Sequence, residues 1–145
     1  MMNALKTVFI FVMGLLLAAA VAGAAAKDLP KKKIIVVSSY NREYTWSQDT
    51  SRGFCDAMLK FGYFDNQAQA EEFAKTDFVE TSRAIVRKLW MDAKRKNSKA
   101  ELARAAAELT KKTMEFHPDL LFVGDDDAAQ YVATQFLDMK MPVVF

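Results

Sequence analysis

Short runs of apolar, often β-branched residues alternate along the chain with longer segments in which apolar residues recur every three or four positions. Residues 32–40 (KKIIVVSSY) and 119–124 (DLLFVG) are apolar runs of strand length, which is typical of strands buried on both faces of a parallel sheet. Residues 84–91 (AIVRKLWM) favour another strand, with a helix continuing from Glu71 as the alternative. Residues 141–145 (MPVVF) predict a fourth strand.

The first segment with helical spacing covers residues 45–64, where Gly62 is a natural C-terminal stop. The buried face predicted for this helix consists of Trp46, Thr50, Gly53, Phe54, Ala57, Met58 and Phe61. Residues 65–81 are more polar and contain several helix formers. We interpret them as a short helix or an irregular crossover.

Two further helices are predicted at residues 97–119 and 127–137. Ser98 and Glu101 form the pattern of a capping box, in which each side chain bonds a backbone N–H of the first turn. Pro118 ends this helix, because the residue before a proline avoids the helical conformation.

The predicted order β-α-β-α-β-α-β, with buried strands, indicates an α/β fold with a doubly wound parallel sheet. Neither G-x-G-x-x-G nor G-x-x-x-x-G-K follows a strand, which weakens the nucleotide-binding versions of this architecture. The chain stops at the fourth strand without a following helix. We therefore expect it to be an N-terminal fragment.

The N-terminal residues have the three-part pattern of a secretory signal peptide at 1–26. The apolar run at 8–21 is short against the roughly 20 residues that cross a bilayer, although an uncleaved anchor is the alternative. Ala24 and Ala26 are the small residues expected before a cleavage site. We expect one domain at 27–145 that lies in the periplasm without stable membrane insertion.

Composition narrows the classes of function. The chain has 20 basic and 18 acidic residues and a formal net charge of +2, which gives no indication of a nucleic-acid partner. Cys55 is the single cysteine and His117 the single histidine. We interpret Cys55 as a small core residue. Because His117 precedes the third strand, at the edge opposite the serines that end the first, we expect no nucleophilic enzyme.

Ligands of open α/β sheets bind beyond the carboxyl ends of the strands. This rule selects the loops at residues 38–46, 91–98 and 124–128. The first loop supplies aromatic faces for stacking and polar groups that orient a small molecule, namely Tyr40, Tyr44, Trp46, Ser38, Ser39 and Asn41. The alternative for Trp46 is that it anchors its helix on the sheet.

The second loop carries Asp92, Lys94, Arg95 and Lys96. We interpret this run as a solvated surface, with a basic residue that meets a ligand carboxylate as the alternative.

Three consecutive aspartates, Asp125, Asp126 and Asp127, follow the third predicted strand. Helix capping explains one or two of them, because carboxylates accept backbone N–H bonds at a helix N-terminus. The other loops offer too few acids or histidines for a metal site. Binding of a ligand ammonium or hydroxyl group is the functional interpretation of the remaining aspartate.

Three stretches together resemble one family: KKIIVVSSYNREYTWSQDTSRGF, WMDAKRKNS and HPDLLFVGDDDAAQYVATQFLDMKMPVVF. They are similar to bacterial ABC-transporter substrate-binding proteins with the type I periplasmic-binding fold. The branch includes aromatic-amino-acid binders and the input domains of sensor kinases. The resemblance covers roughly residues 32–145 and implies that the chain is part of the first of two lobes.

The resemblance implies a periplasmic protein that binds a small, amino-acid-like solute between two lobes and delivers it to an ABC permease, without a cofactor or metal. The alternative is an extracytoplasmic ligand-sensing module of a signalling receptor. By position, the ligand-binding residues implied by the family are Ser39, Tyr40, Trp46, Asp126, Asp127 and Ala128.

Overall fold

The computed structural model describes residues 30–145, so the expected signal peptide lies outside the described residues. One five-stranded sheet has the order β2-β3-β1-β4-β5. Its strands are β1 (Lys32–Ser38), β2 (Phe78–Glu80), β3 (Ala84–Trp90), β4 (Leu120–Gly124) and β5 (Val143–Val144). β1 lies at the centre and pairs in parallel with β3 and β4, and β5 pairs in parallel with β4. The four predicted strands are confirmed.

The sheet is mixed: three of its strand pairs are parallel, as predicted, and one is antiparallel. β2 pairs antiparallel with β3, with Val79 opposite Val86. The Thr81 hydroxyl donates to the Ala84 carbonyl at 3.2 Å and accepts from the Ala84 N–H at 2.9 Å, which closes the turn between the strands. A three-residue strand is too short to show a periodic pattern in the sequence.

The α-helices of residues 30–145 are α1 (Thr45–Lys60), α2 (Gln67–Thr76), α3 (Lys99–Phe116) and α4 (Asp126–Tyr131). α1 ends where predicted, with Gly62 at a φ of 68°. The reciprocal capping by Ser98 and Glu101 is confirmed, because Ser98 Oγ accepts from the Glu101 N–H at 3.3 Å and Glu101 Oε2 accepts from the Asn97 N–H at 2.8 Å.

The helix predicted at 127–137 is interrupted. α4 ends at Tyr131, and a 3₁₀ helix follows at Ala133–Phe136. The Thr134 hydroxyl donates to the Gln130 carbonyl at 2.8 Å. Such a bond competes with the helical backbone pattern, which accounts for the interruption beside the β-branched Val132.

Helices cover both faces of the sheet. On one face, Ile34 and Val36 of β1 pack with residues of α1 and α2. On the other face, Ile35 and Val37 pack with residues of α3 and α4. This double covering explains why β1 is apolar at successive positions. Within residues 30–145, no helix combines the length and the apolar character that a membrane span requires.

The buried face of α1 differs from the predicted one. Its buried residues are Ser47, Cys55 and Met58. Trp46 is 61 % exposed and Phe61 is 65 % exposed, although both were assigned to the buried face. Trp46 therefore does not fix α1 to the sheet through a buried side chain.

Candidate functional site

The loops that follow β1 and β4 leave the same edge of the sheet and enter helices on opposite faces. β1 and β4 are adjacent and parallel, with Ser38 opposite Gly124. α1 packs on one face through Cys55 and Met58, whereas α4 packs on the other through Ala128. Loops that diverge in this way leave a crevice beyond the strand ends, which is the usual ligand position in doubly wound sheets.

A depression of about 340 Å³ lies at this point, and we call it the crevice. It is lined by Tyr40, Tyr44, Trp46, Asp125 and Asp126. The rings of Tyr40 and Tyr44 meet edge to face with their centroids 4.9 Å apart. The crevice therefore combines aromatic surface with two carboxylates.

The two carboxylates are held by aromatic side chains of the opposite loop. The Tyr40 hydroxyl donates to Asp126 Oδ1 at 2.8 Å. The Trp46 indole N–H donates to Asp125 Oδ1. The second oxygen of Asp125, Oδ2, is buried and has no hydrogen-bond partner within residues 30–145. These contacts join the two loops and leave one carboxylate oxygen unsatisfied.

The surroundings shift the pKa values of the two carboxylates and of Tyr40 in different directions. The hydrogen bond from Tyr40 lowers the pKa of Asp126. Burial raises the pKa of Asp125, against the hydrogen bond from Trp46. Burial and the bond to Asp126 raise the pKa of Tyr40. Asp126 thus stays ionised at neutral pH and Tyr40 stays a hydrogen-bond donor.

The backbone of Asp125 is strained. Its φ of 71° and ψ of 172° lie in a region that is essentially restricted to glycine. Such a conformation costs of order 1–3 kcal/mol and persists where the surrounding structure fixes it. Here the strained residue is the one that turns β4 into α4 and directs its carboxylate towards Trp46.

Ser39 and Ala128 lie behind the crevice and do not line it. Ser39 is 0 % exposed, and its hydroxyl donates to the Gly124 carbonyl at 2.9 Å. The same oxygen accepts from the Ala128 N–H at 2.7 Å. Ser39 therefore accepts a backbone N–H at the N-terminus of α4, a role that the sequence analysis predicted for an aspartate.

Asp127 lies outside the lining of the crevice, and its N–H donates to Asp126 Oδ1 at 3.0 Å. Asp125, at the N-cap position, makes no side-chain capping bond. Of the three aspartates, only Asp126 accepts a backbone N–H of the first turn. The described part of the chain contains no group of His, Cys, Asp and Glu side chains that could hold a metal ion.

The loop after β3 brings a cation to the same edge. Lys94 Nζ lies 4.5 Å from the centroid of the Tyr40 ring. Arg95 instead forms ion pairs with Glu43 at 3.5 Å and with Asp92 at 3.6 Å. One cation of the charged run therefore lies beside a residue of the crevice, whereas another pairs at the surface.

Of the six residues implied by the resemblance, the crevice brings together Tyr40, Trp46 and Asp126. It also contains Tyr44 and Asp125, which the six do not include. The signal for Asp125 was present in the sequence, because it directly follows the glycine that ends the strand. Comparisons of the chain with protein-family models, with curated proteins and with solved structures found no match.

Proposed function

We propose that the chain is part of the first lobe of a periplasmic solute-binding protein that delivers an amino-acid-like solute to an ABC permease. The observation that carries the proposal is the crevice at the carboxyl edges of β1 and β4, where two aspartates and three aromatic rings meet. A concave site with convergent polar groups on aromatic surface is the usual form of a small-molecule site.

The charges of the crevice suit a ligand that carries an ammonium group. Asp126 is ionised and exposed, so its carboxylate is accessible to such a group, whereas Asp125 Oδ2 is buried and has no partner within residues 30–145. The exposed ring of Trp46 adds attraction for a cation through its ring electrons. Lys94, beside Tyr40, is placed to meet the carboxylate of the same solute.

The crevice covers such a solute on one side only, because Trp46 is 61 % exposed. In the class of protein that the chain resembles, a second lobe closes over the solute about a hinge. We therefore expect the 145-residue chain by itself to bind its solute weakly, with a Kd well above the micromolar range.

Isothermal titration of the protein against a panel of amino acids, at millimolar ligand, tests the proposal. We expect N-acetylation of a bound amino acid to abolish binding, because it removes the ammonium group. We expect Asp126→Asn to weaken binding by about tenfold or more, the usual cost of a charge-assisted hydrogen bond. Asp138→Asn is the matched control, since Asp138 is exposed and does not line the crevice. If no amino acid of the panel binds, or if the acetylated ligands bind as tightly as the free amino acids, the proposal is contradicted.

A further inference from the structure

A lysine side chain is buried in the sheet on the face that α1 and α2 cover. Lys88 lies on β3 in the alternating set that includes Ala84 and Val86, and it is 6 % exposed. Lysine is almost never fully buried unless its charge is paired. A buried ammonium without a counter-ion carries a large desolvation cost.

The contacts of Lys88 do not include a carboxylate. Its ammonium group donates to the Ser51 hydroxyl and lies 4.0 Å from the centroid of the Trp90 ring. None of the ion pairs within residues 30–145 includes Lys88. Oδ2 of the nearby Asp77 carboxylate accepts from Arg42 and from the Trp90 indole N–H at 2.8 Å, whereas Asp77 Oδ1 is buried and has no hydrogen-bond partner within residues 30–145. Lys88 is therefore a buried cation whose ammonium group can donate further hydrogen bonds.

A cavity of about 290 Å³, which we call the Lys88 cavity, lies between α1, α2 and β3. Its apolar lining includes Cys55, Ala70, Phe73 and the Trp90 ring, and Lys88 is part of its wall. It shares no lining residue with the crevice. A buried cation thus faces a space large enough for a few heavy atoms of a ligand.

We propose that the Lys88 cavity is a second binding site, for a small monocarboxylate with an apolar tail, whose carboxylate forms the ion pair that Lys88 lacks. The aromatic and aliphatic lining accommodates the tail. A phosphate dianion suits the site less well than a monoanion, because the three cations of the lining, Arg42, Arg52 and Lys88, are offset by the three acids Asp56, Glu71 and Asp77.

The titration of Lys88 supports this assignment. Burial lowers the pKa of Lys88 to about 8, with the charge of Asp77 opposing the shift. A bound carboxylate favours the protonated amine, so binding is coupled to proton uptake. The charged or titratable groups around Lys88 are Arg42, Arg52, Cys55, Asp56, Glu71, Asp77 and, more remotely, Asp125.

The test uses the two tryptophans of the chain as internal reporters. In a ¹H–¹⁵N spectrum of the protein, each indole N–H gives one signal, assigned with Trp90→Phe. Titration with butyrate is expected to shift the Trp90 signal and leave the Trp46 signal in place. Butyramide, which has the same shape and no charge, is expected to have no effect. Between pH 7 and pH 9 the butyrate Kd is expected to rise about tenfold as Lys88 loses its proton.

Lys88→Met keeps the length of the side chain without its charge and is expected to raise the butyrate Kd at least tenfold. Lys99→Met, at an exposed lysine of α3, is the matched control and leaves the Kd unchanged. Ser51→Ala, which removes the hydroxyl that holds Lys88, is expected to change the Kd about threefold. Equal shifts with butyramide, a shift with inorganic phosphate alone, or an unchanged Kd in Lys88→Met or Ser51→Ala overturns the proposal.

Discussion

The crevice and the Lys88 cavity share no lining residue and differ in how the protein surrounds their charged groups. The crevice is open and acidic, and its carboxylates accept hydrogen bonds from Tyr40 and Trp46. The Lys88 cavity contains a buried amine whose side-chain partners are the Ser51 hydroxyl and an aromatic ring. The charge of Asp126 is thus stabilised by the hydrogen bond from Tyr40, whereas burial destabilises the charge of Lys88.

This difference separates two ways in which a site arises in an α/β domain. The crevice follows from topology, because the loops after β1 and β4 diverge at one edge of the sheet. The Lys88 cavity follows from one polar side chain at a strand position where its neighbours on the same face are apolar. The position of a site like the crevice depends on where the strands end. A site like the Lys88 cavity depends on a polar residue that occupies a strand position where an apolar residue is expected.

The largest effect that we expect is a gain in stability on removing the buried amine. Lys88→Met is expected to raise the free energy of unfolding at pH 7 by about 3 kcal/mol, because the folded-state pKa near 8 lies well below the ordinary 10.5. Urea unfolding at pH 7 measures this difference.

The same variant has a defined pH dependence. Between pH 8 and pH 10 the unfolded lysine keeps its proton while folded Lys88 releases it, so the unfolded state binds more protons. The stability of the original protein is therefore expected to rise with pH in this window relative to Lys88→Met. A constant difference between the two proteins from pH 7 to pH 10 would show that Lys88 is not desolvated in solution.

A smaller gain in stability, also accompanied by a loss of binding, is expected in the crevice. Asp125→Gly relieves the backbone strain at a φ of 71°, and we expect a gain of about 1 kcal/mol in the free energy of unfolding. The same change removes a carboxylate, so binding of an ammonium-bearing solute weakens. Asp125→Asn is the control, because it removes the charge and keeps the strain. Equal thermal stability of the two variants would contradict the argument.

The smallest effect concerns Tyr40. Tyr40→Phe removes the donor that lowers the pKa of Asp126, so this pKa is expected to rise. Because a lowered pKa gives stability that is lost as pH falls through it, the variant loses its stability at a higher pH on acidification. The loss at neutral pH stays below about 1 kcal/mol, since Asp126 is exposed. Carboxyl ¹³C shifts measure the pKa; Tyr44→Phe is the control and leaves it unchanged.

Much of the fold could be predicted from the sequence, because β1 and β4 are long apolar runs and α3 has a capping box. The adjacent placement of β1 and β4, with Ser38 opposite Gly124, agrees with the prediction that their loops share one edge. Tyr40, Trp46 and Asp126 therefore lie together, as predicted from the positions of their loops.

Other features depend on contacts between residues distant in sequence. β2 is fixed by pairing with β3 and not by its own three residues. The exposure of Trp46 depends on the rotation of α1 about its own axis relative to the sheet. The spacing of apolar residues along the helix predicts this rotation only approximately. Lys88 belongs to a strand that was correctly predicted, yet its burial follows from the packing of α1 and α2. The apolar pattern of a strand does not show whether a lysine within that strand is exposed to solvent.

Ser39 shows how a mutational scan of this domain can mislead. Its hydroxyl is both donor and acceptor at the junction of β1, β4 and α4. Alanine at this position leaves the buried N–H of Ala128 without its partner and releases the first turn of α4, which carries Asp126, whereas the Gly124 carbonyl keeps the bond from the Ser39 N–H. Loss of affinity in such a variant would therefore report a displaced helix start, even though Ser39 does not line the crevice.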